Sequence, residues 1–281
     1  MTLDGDWFTE VHHDTAFSLR VRRKLHEEQT TFQKIEVYET ESFGNLMVID
    51  GCVMLTTRDN FLYHEMMAHP VLFAHENPRD VLIIGGGDCG TLREVLRHES
   101  VREAAQVDID EGVTRASLLY FPELCESNGD QRAALHFEDG VKWVKEAAAD
   151  SCDVIIIDST DPVGPAEGLF GEPFLRDCHR ALRSGGIIVQ QSESPLLHRD
   201  SIIAPLHAVM RRAGFTDVRT LPFPQPVYPS GWWSCTMAAK GRRLDSFREE
   251  ASRNKEFATR YYTSEVHRGA LARLPLLDPA A

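Results

Sequence analysis

The chain has 281 residues, 42% of them hydrophobic, enough for one large domain or a nucleotide-binding domain with a smaller companion, and too apolar for wholesale disorder. Its formal net charge of −13 argues against nucleic acid as a partner, because that affinity comes chiefly from clustered Lys and Arg. No stretch reaches the roughly 18 uninterrupted apolar residues of a membrane helix, the opening MTLDGDWFTE has no apolar run, and six cysteines without a Cys-x-x-Cys pair fit a reduced compartment, so a cytoplasmic protein without membrane association is expected.

Up to about Thr57 the chain reads as β-structure. Lys34 to Tyr38 alternates polar and apolar residues, as a half-buried strand does. Phe43 to Ile49 runs into Asp50-Gly51, a dipeptide favoured in tight hairpin turns, and then into Cys52 to Thr56. The expectation is a small antiparallel domain over 1–58. From Asp59, read as an N-cap, apolar residues at helical spacing extend from Phe61 to His75 and stop before Pro78.

Beyond Pro78 short apolar runs alternate with segments of helical length. The runs are Val81 to Ile84, Ala104 to Asp108, Leu135 to Phe137, Val154 to Asp158 and Ile187 to Gln191. That alternation predicts a parallel sheet with helices on both faces. Pro222, Pro224, Pro226 and Pro229 mark an irregular loop, Ser234 to Ala239 returns as a late strand, and the charged tail from Gly241 reads as partly helical. The predicted class is α/β, a Rossmann-like doubly wound sheet over 59–281 behind the small antiparallel β domain.

Gly85-Gly86-Gly87-Asp88-Cys89-Gly90 fits G-x-G-x-x-G between a predicted strand and a helix beginning near Thr91. Glycines there let the backbone approach a ligand, and the helix start offers free N–H groups. Asp108 lies 21 residues past Gly87, at the end of the next strand, where a carboxylate can bond ribose hydroxyls. These features leave a dinucleotide site and a sulfonium-nucleoside site both open. Asp139-Gly140 follows the next strand and favours the second; helix N-capping by Asp139 is the plainer reading. Asp158-Ser159-Thr160-Asp161-Pro162-Val163-Gly164-Pro165 follows the Val154 strand, beyond the carboxyl end where open parallel sheets bind ligands. Its two carboxylates can hold a polyamine-like cation or accept a proton, although Asp161 before proline also suits an Asx-type turn.

Together with Tyr63-His64-Glu65-Met66, Val107-Asp108-Ile109-Asp110 and Tyr228-Pro229-Ser230-Gly231, these segments resemble the polyamine aminopropyltransferases, and the spermidine synthase branch in particular. The resemblance runs from about Trp7 to the region of Pro275. It implies transfer of an aminopropyl group from decarboxylated S-adenosylmethionine, as co-substrate, to putrescine, with no prosthetic group and no metal. By position it implies that Gln33, Asp108, Asp139, Gly140 and Pro165 contact the nucleoside beside Gly85 and Gly87 of the loop. Asp88 then holds the amine of the aminopropyl arm and Asp158 accepts the proton. Tyr63, His64, Asp161 and Tyr228 line the diamine site, with Ser159 and Thr160 in a gating loop and Trp232 or Trp233 as a wall. A homodimer or homotetramer is implied, associating through the N-terminal domain.

Without the resemblance, His64 reads as a helix-surface histidine, and His64 with His69 misses the zinc-helix spacing by one residue. Two positions depart from the family pattern: Asp108 replaces the usual Glu, and Cys89 replaces a usual Gly. A methyltransferase on the same fold and a non-catalytic polyamine-binding protein are the alternatives.

Overall fold

The computed structural model describes residues 5–12, 14–160 and 164–277, with the backbone alone for Gly164 and Pro165. The first part is an antiparallel meander of β1 (Trp7–His12), β2 (Thr15–Gln29), β3 (Lys34–Thr40), β4 (Asn45–Ile49) and β5 (Cys52–Thr56), neighbours in chain order. Asp50 and Gly51, at φ 49° and 87°, turn β4 into β5 and set Ile49 opposite Cys52. Positive φ at both central residues matches the hairpin twist to that of the strands.

The helix α1 (Asn60–Ala74) follows. Every residue from Tyr63 to Ala74 is buried, Pro70 included, so the apolar spacing marks a core helix and not a surface one. Asp59 occupies the N-cap position without a capping bond; its carboxylate accepts from the Thr56 hydroxyl instead.

The larger unit alternates as expected through β6 (Asp80–Gly85), α2 (Gly90–Leu96), β7 (Glu103–Asp108), α3 (Glu111–Tyr120), β8 (Ala133–Phe137), α4 (Gly140–Glu146), β9 (Cys152–Asp158), α5 (Glu172–Ala181), β10 (Leu182–Gln191) and α6 (Ala204–Arg212). The late strand expected over Ser234 to Ala239 forms, and the sheet also gains an edge strand that the sequence reading did not include. After β11 (Asp217–Pro224) and β12 (Trp232–Ala239) the seven strands lie in the order β11-β12-β10-β9-β6-β7-β8. β12 runs antiparallel to both β10 and β11, whereas the rest are parallel. Pro222 and Pro224, read from sequence as loop, lie within β11. An edge strand tolerates them because one side of its ladder has no partner to donate to. The tail adds α7 (Glu249–Arg253) and α8 (Ser264–Ala270).

Alternate residues of the central strands face opposite layers. Ile83, Ile156 and Val189 pack with α1, while Leu82, Ile155 and Ile188 pack with Phe174, Leu175 and Met210 of α5 and α6. A third cluster joins the two units, with Ile35, Val37, Met47 and Ile49 of the meander against Val113, Ala116, Phe121 and Leu124. The chain leaves β6 toward β7 and β8 and returns on its other side as β9. The crevice that such a reversal opens at the carboxyl strand ends is where ligands bind in this class of sheet.

Candidate active site

A cavity of about 360 Å³ opens at the ends of β6, β7 and β9, and the N-terminal meander closes it with Met47, Ile49, Cys52 and Met54. Its floor is the glycine loop. Gly85 pairs in register with Asp158 at φ +83°, and a Cβ there would stand 2.1 Å from the Asp158 carbonyl oxygen. Only glycine allows that turn and that approach. The Gly86 N–H donates to the same carbonyl at 2.7 Å, which ties the loop to β9.

At one end of the cavity stand Gln33, Gly87, Asp108, Asp139 and Gly140. Burial pushes the Asp108 carboxyl up to about 6; the Asp110 N–H on its Oδ1 at 2.8 Å opposes this, and the Asp110 charge adds to it. Gln33 is held by its side-chain amide, which donates to Asp110 Oδ2 at 3.0 Å. Asp110 also accepts from Thr30 Oγ1 at 2.7 Å and caps α3 through the Gly112 N–H at 2.9 Å. Asp139 does what the plainer reading expects, capping α4 by accepting from Val141 and Lys142 N–H at 2.8 and 3.2 Å, while also lining the cavity.

The other end gathers Tyr63, His64, Asp88 and Asp158. His64 is 1% exposed, contrary to the expectation of a surface position. Its ring lies where any side chain at Gly90 would meet it at 2.3 Å, and its Nε2 sits 3.2 Å from Asp88 Oδ1. Burial opposes a charged imidazole, but Asp88 and then Asp158 outweigh it and lift His64 above its ordinary value. Burial likewise works against the Asp88 charge, yet the His64 ring and the Gly90 N–H, at 2.6 Å, hold that carboxyl below the usual range. Asp158 differs. Burial and the nearby Asp88 charge raise it, against the opposing effects of His64, Thr91 and Tyr63. Tyr63 Oη donates to its Oδ1 at 2.7 Å and Thr91 Oγ1 to its Oδ2 at 2.6 Å. One wall therefore carries a firmly ionised carboxylate and a second one poised to take up a proton.

Ser159, Thr160 and Tyr228 line the same cavity. Ser159 Oγ donates to the Thr160 carbonyl at 3.1 Å, which also accepts from Gln191 Nε2 at 3.3 Å. Tyr228 donates to the Met54 carbonyl and meets Trp233 edge-on at 4.6 Å. Asp161 and the Pro165 side chain lie outside the described residues. His69 has turned to other partners, His98 Nε2 at 3.0 Å and Glu94 Oε2 at 3.1 Å. Past Tyr63 and Tyr228 a small adjoining pocket of about 40 Å³ is bounded by Glu10, Gln191 and Trp233. Sequence reasoning missed Glu10, Asp110, Thr91 and the methionine wall. Asp110 was legible only as part of a motif, and nothing in periodicity marks the others.

A Rossmann-like sheet with this acidic crevice at its switch point defines a small-molecule site of the doubly wound α/β class, and among the described residues no helix is long and apolar enough to cross a membrane. Residues 60–247 match the spermine/spermidine synthase domain and residues 6–57 the spermidine synthase tetramerisation domain. The chain belongs to the spermine/spermidine synthase family of polyamine aminopropyltransferases. It is 65% identical over 272 residues to the polyamine aminopropyltransferase of Thioalkalivibrio sulfidiphilus, covering 97% of this chain and 96% of that one. The Methylococcus capsulatus polyamine aminopropyltransferase is 64% identical over 269 residues, covering 95% and 94%. Among solved structures, a spermidine synthase in complex with the transition state analogue AdoDATO superposes with TM-score 0.92 at 34% identity, over 98% of this chain and 94% of that one. The Thermotoga maritima spermidine synthase does so with TM-score 0.90 at 34% identity, over 95% and 91%.

Proposed function

We propose that the protein moves an aminopropyl group from decarboxylated S-adenosylmethionine to putrescine, releasing spermidine and methylthioadenosine. The observation that carries this reading is the pair Asp88 and Asp158 on one wall, the first ionised against His64 and the second raised, 3.2 Å and 2.6 Å from their respective partners His64 and Thr91. Gln33, Asp108, Asp139, Gly140 and Pro165 hold the nucleoside over Gly85 and Gly87, and Asp88 faces the ammonium of the aminopropyl arm. A spermidine synthase of the same fold is solved in complex with the transition state analogue AdoDATO, which supports a site for that class of ligand here.

The diamine lies along Tyr63, His64 and Tyr228, with Ser159, Thr160 and Asp161 at the loop beside it. Its far ammonium extends toward Glu10. Asp158 removes a proton from the near ammonium, and the freed nitrogen attacks the carbon beside the sulfonium. The C–N bond forms as the C–S bond breaks, and the thioether leaves with the bonding electrons. Orientation in a water-poor cavity and deprotonation supply most of the acceleration. The subunits associate as a homodimer or homotetramer through the N-terminal sheet in a reduced, cytoplasmic setting, with no membrane or nucleic-acid partner.

Incubating the protein with decarboxylated S-adenosylmethionine, S-adenosylmethionine and a mixture of putrescine, cadaverine, agmatine and spermidine, followed by mass spectrometry, tests the reading. Methylthioadenosine and spermidine are expected. S-adenosylhomocysteine would overturn it in favour of methyl transfer, and amine binding without turnover in favour of a binding protein.

A further inference from the structure

Asp158 is 8% exposed and stands beside the Asp88 charge, and its two oxygens are held differently. Tyr63 lines the cavity and reaches Oδ1 from within it. Thr91 is fully buried at the start of α2, stands behind the carboxylate, and is absent from the described cavity wall. Its hydroxyl reaches Oδ2 at 2.6 Å. We propose that Thr91 is a positioning residue for Asp158, whose hydroxyl keeps the proton-accepting carboxylate ionised and turned toward the cavity.

The inference rests on the reading of Asp158 as proton acceptor. A carboxylate buried beside a second negative charge loses hydration it can recover only through fixed donors. The charged and titratable groups facing it are Tyr63 and His64 from α1, Asp88 from the glycine loop and Asp108 from β7, with Arg93 of α2 acting on Asp88 and His64. Of these His64 alone offsets the negative charge directly, and it is committed to Asp88 at 3.2 Å. A hydroxyl at position 91 adds a donor without adding a competing ligand for the amine. Because Thr91 does not itself line the cavity and meets it through Asp158, its loss should act through Asp158 and leave the nucleoside end unchanged.

The test compares Thr91→Val, which keeps the shape without the donor, with Thr91→Ser, which keeps the donor, and with Asp158→Asn, each over pH 5 to 10 in aminopropyl transfer to putrescine. Methylthioadenosine affinity is measured alongside. Thr91→Val should move the acid limb of kcat/KM to higher pH by about one unit and lower turnover near neutral pH by about tenfold, the scale of one hydrogen bond to a charged group. Thr91→Ser should restore both, and methylthioadenosine affinity should hold in all three. Where the valine variant fails to fold, Thr91→Cys, a weaker donor, should give a smaller shift in the same direction. An unmoved acid limb in the folded donorless variant, with Asp158→Asn inactive, overturns the role of Thr91 alone. Near-normal turnover in Asp158→Asn overturns the proton-acceptor reading and this inference with it.

Discussion

Asp88 and Asp108 owe opposite behaviour to their surroundings, and each leads to a measurable expectation for ligand binding. Asp88 is held ionised by His64 at 3.2 Å, and in the proposed reaction it would attract the ammonium of the aminopropyl arm and repel the carboxylate that S-adenosylmethionine carries in addition. Asp88→Asn should weaken decarboxylated S-adenosylmethionine and improve the relative binding of S-adenosylmethionine, each by about 1 to 3 kcal/mol in a desolvated pocket. Calorimetric titration of both ligands measures the ratio, and an unchanged preference would leave selectivity to pocket shape. Burial pushes Asp108 up to about 6, and hydroxyl donors from a ribose favour its ionised form. Affinity for methylthioadenosine should therefore be level above pH 6 and decline below it, by up to about tenfold per pH unit. Asp108→Asn should bind more weakly with the decline removed.

Helix α1 shows how one element serves both chemistry and folding. Its Tyr63 and His64 face the cavity, while the next residue, Glu65, is 2% exposed and points away from it. The Glu65 carboxylate accepts the backbone N–H groups of Arg260, Tyr261 and Tyr262 at 2.8, 2.9 and 2.7 Å, docking the tail against the helix and burying Tyr262. Glu65→Ala strands those donors and should cost about 3 kcal/mol, at the upper end for bonds to a charged group. Thermal unfolding and proteolysis of the tail check this; a variant with a wild-type midpoint and a protected tail would show that Tyr262 packing suffices. One turn further on, His69 reaches Glu94 of α2; burial would raise that carboxyl, but His69 and then Arg93 and Arg97 hold it well below the ordinary carboxylate range. Because that pKa is depressed in the folded state, the stability it contributes is present above the unfolded value of about 4.3 and is lost as pH falls below it.

At the scale of the whole molecule, the N-terminal meander is part of the site and not only a surface for association. Phe121 is fully buried in the cluster that joins β3 and β4 to α3, and the same meander places Met47, Ile49 and Met54 over the cavity. Phe121→Ala should cost about 3 to 5 kcal/mol and raise the KM for the nucleoside co-substrate as the wall loosens. Urea unfolding with steady-state kinetics reads both effects. Loss of stability with an unchanged KM would separate the wall from the core that supports it.

Much of this architecture was legible beforehand, because apolar period, glycine turns and hairpin dipeptides are local properties of the chain. The Asp50-Gly51 hairpin, the alternation from β6 to β10 and the glycine loop all follow from residues close in sequence. The prolines of β11 misled for a physical reason. Proline reports a missing donor, and whether that matters depends on whether the strand lies at an edge, which only the order β11-β12-β10 decides. The burial of His64, the clasp of Thr91 on Asp158 and the anchoring of Gln33 through Asp110 join residues 24, 67 and 77 positions apart or more in their key contacts. By itself the sequence determined the class of fold and which chemical groups the site could contain. Tertiary structure alone decided which carboxylate is ionised and which is raised, because burial and neighbouring charge are properties of the packed chain.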